Sequence, residues 1–265
     1  MSAISLSPSR NVVSADILKL RRRYGLVVVT VLMTVGAIAL TYGILQILHD
    51  VDPSKYGPAG GVTHLGHGAW VASALGAVAA AVVGAVAGVG DRDAGVDREL
   101  IVTGRSRITL YGSRLAGGLL FLVPFVAVGY TVAAVSTVVF ADSWATPSAG
   151  LLVTTGLWVV LQAVFYYLLA VGLACITGSR SYTIGVLLAF RLAVAPILAA
   201  IADLGVLREL LPGVALQALA PAALGDTIRQ GPPIPMSIAA IAAVLLVWAG
   251  VAVVGGGWKE ATRDA

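Results

Sequence analysis

Charge is what this sequence has least of. Only 11% of its 265 residues are Asp, Glu, Lys or Arg, while 58% are hydrophobic, and the mean hydropathy is +0.95. With several uncharged runs of about twenty residues, that leaves no room for a sizeable soluble domain and points to an integral membrane protein. Cysteine is nearly absent: Cys175 stands alone inside an apolar run, so no intrachain disulfide can form and it reads as a small core residue. Lysine is scarce too, and none of Lys19, Lys55 and Lys259 follows a Gly-x-x-x-x-Gly frame. A phosphate-cradling loop is therefore missing, and this chain by itself is not expected to hydrolyse ATP. There is no His-Glu-x-x-His helix, no Gly-x-Ser-x-Gly elbow and no pair of acids within an apolar run.

What is present is apolar sequence in six blocks, at about residues 26–48, 69–90, 115–140, 151–177, 181–202 and 236–257. At about 1.5 Å per residue, a block of this length crosses a hydrocarbon core of about 30 Å. The expected fold is an all-α integral membrane protein with six spans in a single domain filling the chain. Ahead of the first span, Val13, Ile17, Leu20 and Tyr24 recur on one helical face, with Lys19 and Arg22 opposite. This predicts a short amphipathic helix on the membrane surface, or a basic flank that orients the first span. The second span carries Ala72, Gly76, Ala80, Gly84 and Gly88 at every fourth position, a stripe that lets another helix approach closely. Residues 204–211 and 214–224 read as two helices too short to cross, forming an interfacial or re-entrant cap before the last span.

All three histidines, His49, His64 and His67, fall in a Gly- and Pro-containing connection over residues 49–68. Gly66 and Gly68 predict a flexible segment there, and the spacing fits no established zinc pattern, so no metal is expected. Basic residues divide unevenly: with the N-terminus inside, thirteen Lys and Arg fall on one side and three, Lys55, Arg208 and Arg229, on the other. That asymmetry predicts both termini in the cytoplasm, and it reads the basic surplus as a topology signal, not a nucleic-acid surface.

One charge lies inside a span: Arg191. No span offers an acid, so Arg191 either bonds polar groups of the fourth span, such as Gln162, Tyr166 or Tyr167, or faces a path or subunit interface where an anionic group meets it. An arginine does not release its proton, so a proton-driven carrier is disfavoured and energy must come from elsewhere.

The densest polar stretch, residues 91–114, places four acids and five arginines between the second and third spans, and is expected to lie in water on the cytoplasmic side. Val96 to Thr103 can form a short helix, with Asp91, Asp93 and Asp97 near its positive end and Gly104 as a left-handed cap. The order Gly95, Leu100-Ile101, Thr103-Gly104, Ser106-Arg107 and Arg114 resembles the loop after the second membrane helix in permeases of the ABC type-2 transporter family. Gly104 stands where that family usually has proline, Val96 where it has threonine and Arg114 where it has lysine. The resemblance implies a coupling helix, with Asp97, Arg98, Glu99, Leu100, Arg105 and Arg107 contacting a separate ATPase subunit that holds ATP and Mg. It also implies a surface helix at the N-terminus, a second permease copy as dimer partner, and export of a lipid, drug-like or polymeric substrate. A non-transporting membrane scaffold is the alternative. An intramembrane enzyme is disfavoured, because Asp91, Asp93 and Asp97 lack the Asp-x-x-Asp-Gly frame of the membrane phospho-alcohol transferases.

Overall fold

A computed structural model describes residues 10–95, 106–228 and 234–262, and all regular structure among them is helical. Helix α1 (Arg10–Arg22) precedes six helices long and apolar enough to span a membrane: α2 (Tyr24–Val51), α3 (Gly61–Asp93), α4 (Arg107–Val139), α5 (Ala149–Thr177), α6 (Arg180–Ala200) and, after a short connection, the last. That connection holds a 3-10 segment (Ala202–Leu210), helix α7 (Pro212–Ala218) and two further turns up to Ile228. Helix α8 (Ile238–Thr262) completes the set.

The helices start where serines stop the preceding chain. Ser106, Ser148 and Ser179 accept from the backbone N–H of Thr109, Leu151 and Tyr182, capping α4, α5 and α6. Helix α5 ends at Gly178, whose φ of 73° is the left-handed conformation that glycine adopts without strain. The helices also run past the apolar blocks at several ends: α3 begins at Gly61 and reaches Asp93, and α4 begins at Arg107. Residues 61–68 are thus helical, which corrects the expectation of a flexible His64–His67 segment. His64 stacks on Trp144 with ring centroids 5.5 Å apart. Gly66 and Gly68 serve close packing instead, against Thr227 and the Tyr42 ring.

Helices α3 and α5 form the centre, with most of their apolar stretches buried, whereas only 6% of that of α8 is covered. The small-residue stripe explains the pairing. A Cβ placed on Gly84 would stand 2.6 Å from the Ala170 Cβ, and one on Gly88 the same distance from the Ala174 Cβ. On the other face of α5, Gly172 abuts the backbone of Ala252 in α8. In lipid such backbone approaches replace the hydrophobic drive that binds helices in water.

Helix α1 exists over the expected residues and packs on α4 at Gly117, where Asp16 and the backbone of Val13 and Ile17 approach. Its buried residues are Asp16 and Leu20, and Tyr24, expected on the same face, instead opens α2 with 82% of its surface exposed. The short elements before α8 match the expected non-spanning pair in position. They are held to the spans by indole bonds, Trp158 Nε1 to the Leu216 carbonyl at 2.7 Å and Trp248 Nε1 to the Leu210 carbonyl at 2.9 Å.

Replacing Gly172 with Leu forces a branched side chain into the backbone of α8, and overpacking of this kind costs about 1–3 kcal/mol. The expected result is a lowered thermal midpoint and an aggregated fraction on size exclusion in detergent. Gly112→Ala, where an added Cβ meets nothing within 4 Å, is expected to leave both unchanged.

Candidate functional site

Two polar constellations stand out in the bundle. The first lies at the end where α1, α3, α4, α6 and α8 come together. Arg114, only 6% exposed, donates from Nη1 to Glu260 Oε1 at 2.9 Å, and its Nη2 stands 3.3 Å from Asp91 Oδ2. Lys19 Nζ bridges Asp16 at 3.2 Å and Asp91 at 3.1 Å, and the Ser113 hydroxyl donates to Asp16 Oδ2 at 2.6 Å. Arg92 approaches Glu260 at 3.9 Å, and Arg180 pairs with Asp93. Tyr167 donates to the Arg114 carbonyl at 2.7 Å, fixing the backbone beneath the guanidinium. The core of the network is balanced, Lys19, Arg92 and Arg114 against Asp16, Asp91 and Glu260, with Arg114 and the three carboxylates largely covered and Lys19 and Arg92 still reaching water.

This revises the expectation that residues 91–114 lie wholly in water: Asp91 to Asp93 are the last turn of α3, and Arg114 is enclosed by protein. Lys19, expected on the polar face of a surface helix, is engaged with two carboxylates. Of the residues expected to contact an ATPase, Asp97, Arg98, Glu99, Leu100 and Arg105 lie outside the described residues. Arg107 is the first residue of α4 and half-buried. Asp16 and Glu260 carry much of the network, and the sequence reading passed over both. A signal existed for Asp16, an acid on the otherwise apolar stripe between Val13 and Leu20.

The second constellation is at mid-depth. Arg191 sits in a π-helical turn (Phe190–Val194) of α6, about 16 Å along the helix from Arg180 at 1.5 Å per residue. Its Nη2 donates to Gln162 Oε1 at 3.2 Å, and its guanidinium lies over the Tyr166 ring, 4.9 Å from the centroid. The fourth-span partners expected from sequence, Gln162 and Tyr166, are therefore brought to Arg191, while Tyr167 is committed to Arg114. A charge at this depth costs about 2.5–3.5 kcal/mol by insertion scales, and a cation–π contact returns about 2 kcal/mol or more when desolvated. These contacts border a cavity of about 180 Å³ between α3, α5, α6 and the short elements, lined by Trp70, Ser73, Trp158, Gln162, Arg191 and Gln217 among others.

Among the described residues, no three His, Cys, Asp or Glu side chains gather as metal ligands. No family model matches the chain, and no curated protein matches it.

Removing Arg114 takes from Glu260 its 2.9 Å partner, leaving only Arg92 at 3.9 Å, and leaves Asp91 to Lys19 alone. Arg114→Met is expected to lower stability by about 3–5 kcal/mol, the cost of breaking a buried pair, with the double variant Arg114→Met/Glu260→Leu recovering part of it. Denaturation midpoints of the three proteins in detergent measure the coupling. A double variant no more stable than Arg114→Met alone would contradict the pairing.

Proposed function

We propose that the chain is the membrane-spanning permease subunit of an ATP-driven exporter of the ABC type-2 kind. In this reading it works as a dimer with a second copy or a related chain, beside a separate ATPase subunit that supplies ATP and Mg. Both termini and the 96–105 connection face the cytoplasm of a bacterial plasma membrane, α1 lies at the membrane surface, and the substrate is a lipid, drug-like or polymeric molecule. The observation that carries the reading is the ion-paired end of the bundle. The 96–105 connection leaves α3 two residues after Asp93 and enters α4 near Arg107, so it is flanked by the helix ends that the Arg114 network ties together. A force on that connection acts on α1, α3, α4 and α8 as a unit, with α6 joined to them more weakly through the partly exposed Arg180–Asp93 pair. A separate ATPase could use such a joint to rearrange the spans, with Asp97, Arg98, Glu99, Leu100, Arg105 and Arg107 as its contact surface. The sequence lacks a phosphate loop of its own, and Arg191 cannot shuttle protons, which also favours an external energy source.

Charge reversal R98E/E99R is expected to leave membrane insertion intact while uncoupling ATP hydrolysis from transport in the reconstituted complex. Copurification of an ATPase subunit with the native chain is the companion measurement. A chain that recruits none, with the double variant behaving as wild type, would favour a non-transporting scaffold. Single cysteines at Ser54 and Ser106 in a Cys175→Ala background are expected to label from opposite faces of intact cells, and labelling of both from outside would contradict the six-span topology.

A further inference from the structure

The cavity beside Arg191 is rich in donors and poor in acceptors. A guanidinium carries only donors, so Gln162 must turn its carbonyl oxygen to Arg191 and present its amide nitrogen elsewhere. Gln162 is 2% exposed, and its Nε2 has no hydrogen-bond partner among the described residues; the Nε of Arg191 is likewise buried and without one. Both side chains line the same cavity. Of the other polar groups there, the Ser73 hydroxyl donates to the Trp70 carbonyl at 2.9 Å and the Trp158 indole is spent on Leu216, while Gln217 brings a neutral amide with both a donor and an acceptor and no charge to oppose Arg191. Among the residues whose side chains are described, no carboxylate pairs with Arg191 and none lines the cavity.

The geometry points to an oxyanion-binding site, in which Arg191 and Gln162 hold a phosphate-class group by its oxygens. Water could satisfy the donors but would leave the charge at mid-depth unopposed, whereas an oxyanion does both. The forked guanidinium presents two nitrogens in one plane to a phosphate, and the Tyr166 ring, 4.9 Å from its central carbon, bounds it on one side. The cavity borders lipid-facing surface: Leu192, which lines it, is 60% exposed, and Ile197 on the same helix 61%. The head group of a phosphate-bearing amphiphile can therefore enter from the side with its chains left against α6, and a free phosphate is the other source of the same chemistry.

The site is tested on the isolated full-length chain, so its failure leaves the permease reading standing, and failure to find an ATPase leaves this result standing. Native mass spectrometry in detergent compares retention of phosphatidic acid with that of diacylglycerol, which has the same tails and no phosphate. The wild type is expected to retain phosphatidic acid about tenfold better, the effect of one charge-assisted contact. Arg191→Gln is expected to abolish the preference. Gln162→Glu places a carboxylate beside Arg191, so it preserves the fold by an internal ion pair while excluding the ligand, and it decides the matter if Arg191→Gln fails to fold. Inorganic phosphate that raises the thermal midpoint of the wild type but not of Gln162→Glu, without any lipid preference, supports the same site with a free anion as its source. A phosphatidic acid preference that survives Gln162→Glu belongs to another basic surface and overturns the proposal. So does a wild type indifferent to both phosphatidic acid and phosphate, in which water alone meets the donors.

Discussion

Arg114 is enclosed by protein at the end of a bundle built for hydrocarbon, and a buried cation must be paired or it costs several kcal/mol. Its partners come from α3 through Asp91 and from the last turns of α8 through Glu260. The requirement to neutralise one side chain therefore fixes the ends of three helices, and through Asp91 and Lys19 it fixes α1 as well. This matters most for α8, which buries little of its apolar surface. Between helices in lipid, apolar area supplies no preference of its own. The position of α8 rests instead on the Glu260 pair, the Tyr111 hydroxyl bond to the Val253 carbonyl at 2.9 Å and the backbone contact at Gly172.

The opposite end follows the same rule with neutral groups. Tyr42 donates to the His64 carbonyl at 2.9 Å and shares a hydrogen bond of 2.6 Å with Thr137, joining α2, α3 and α4. Trp158 and Trp248 hold the short elements by their backbone carbonyls. Rings with one polar atom suit these places, since the ring packs among apolar side chains while the single donor meets an otherwise unsatisfied carbonyl. In the exposed turn before α3, Asp52 accepts from the Ser54 hydroxyl at 2.6 Å, which holds its carboxyl below the ordinary value. The contribution of that bond is present at neutral pH and fades as acid protonates the carboxylate.

The spans were legible in the sequence because hydropathy reports directly on the solvent a segment can tolerate. Their ends were less so, because helix hydrogen bonding does not stop where hydropathy does: Gly61 to Gly68, Asp91 to Asp93 and Arg107 to Arg114 are all helical though polar or glycine-containing. Reading Gly66 and Gly68 as flexibility applied a rule for chains in water to a place where small residues serve packing. Arg191 and its partners were legible because Gln162 and Tyr166 are among few polar groups on an apolar background. The Arg114 network was not, because its members are far apart in sequence, 72 residues for Lys19 and Asp91, 97 for Asp16 and Ser113, and 146 for Arg114 and Glu260. No local pattern carries such pairings.

The two arginines mark opposite solutions to one cost. Arg114 is met by two carboxylates, and that saturation makes it a structural joint. Arg191 has an amide oxygen and an aromatic face, which orient it without neutralising it. Helix α6 links the two regions: Arg180 near its start pairs with Asp93, and Arg191 lies about 16 Å further along. The Arg180 pair is about a third exposed on both sides, so it is worth about 0–1 kcal/mol, far less than the buried Arg114 contacts. Under load at the 91–93 end, α6 is accordingly the helix freest to shift against the fixed group of α1, α3, α4 and α8. Its displacement would move Arg191 relative to Gln162 and Trp158 on α5. In the permease reading, that difference in joint strength is what lets a push at one end of the bundle reshape the mid-depth cavity while the rest of the frame holds.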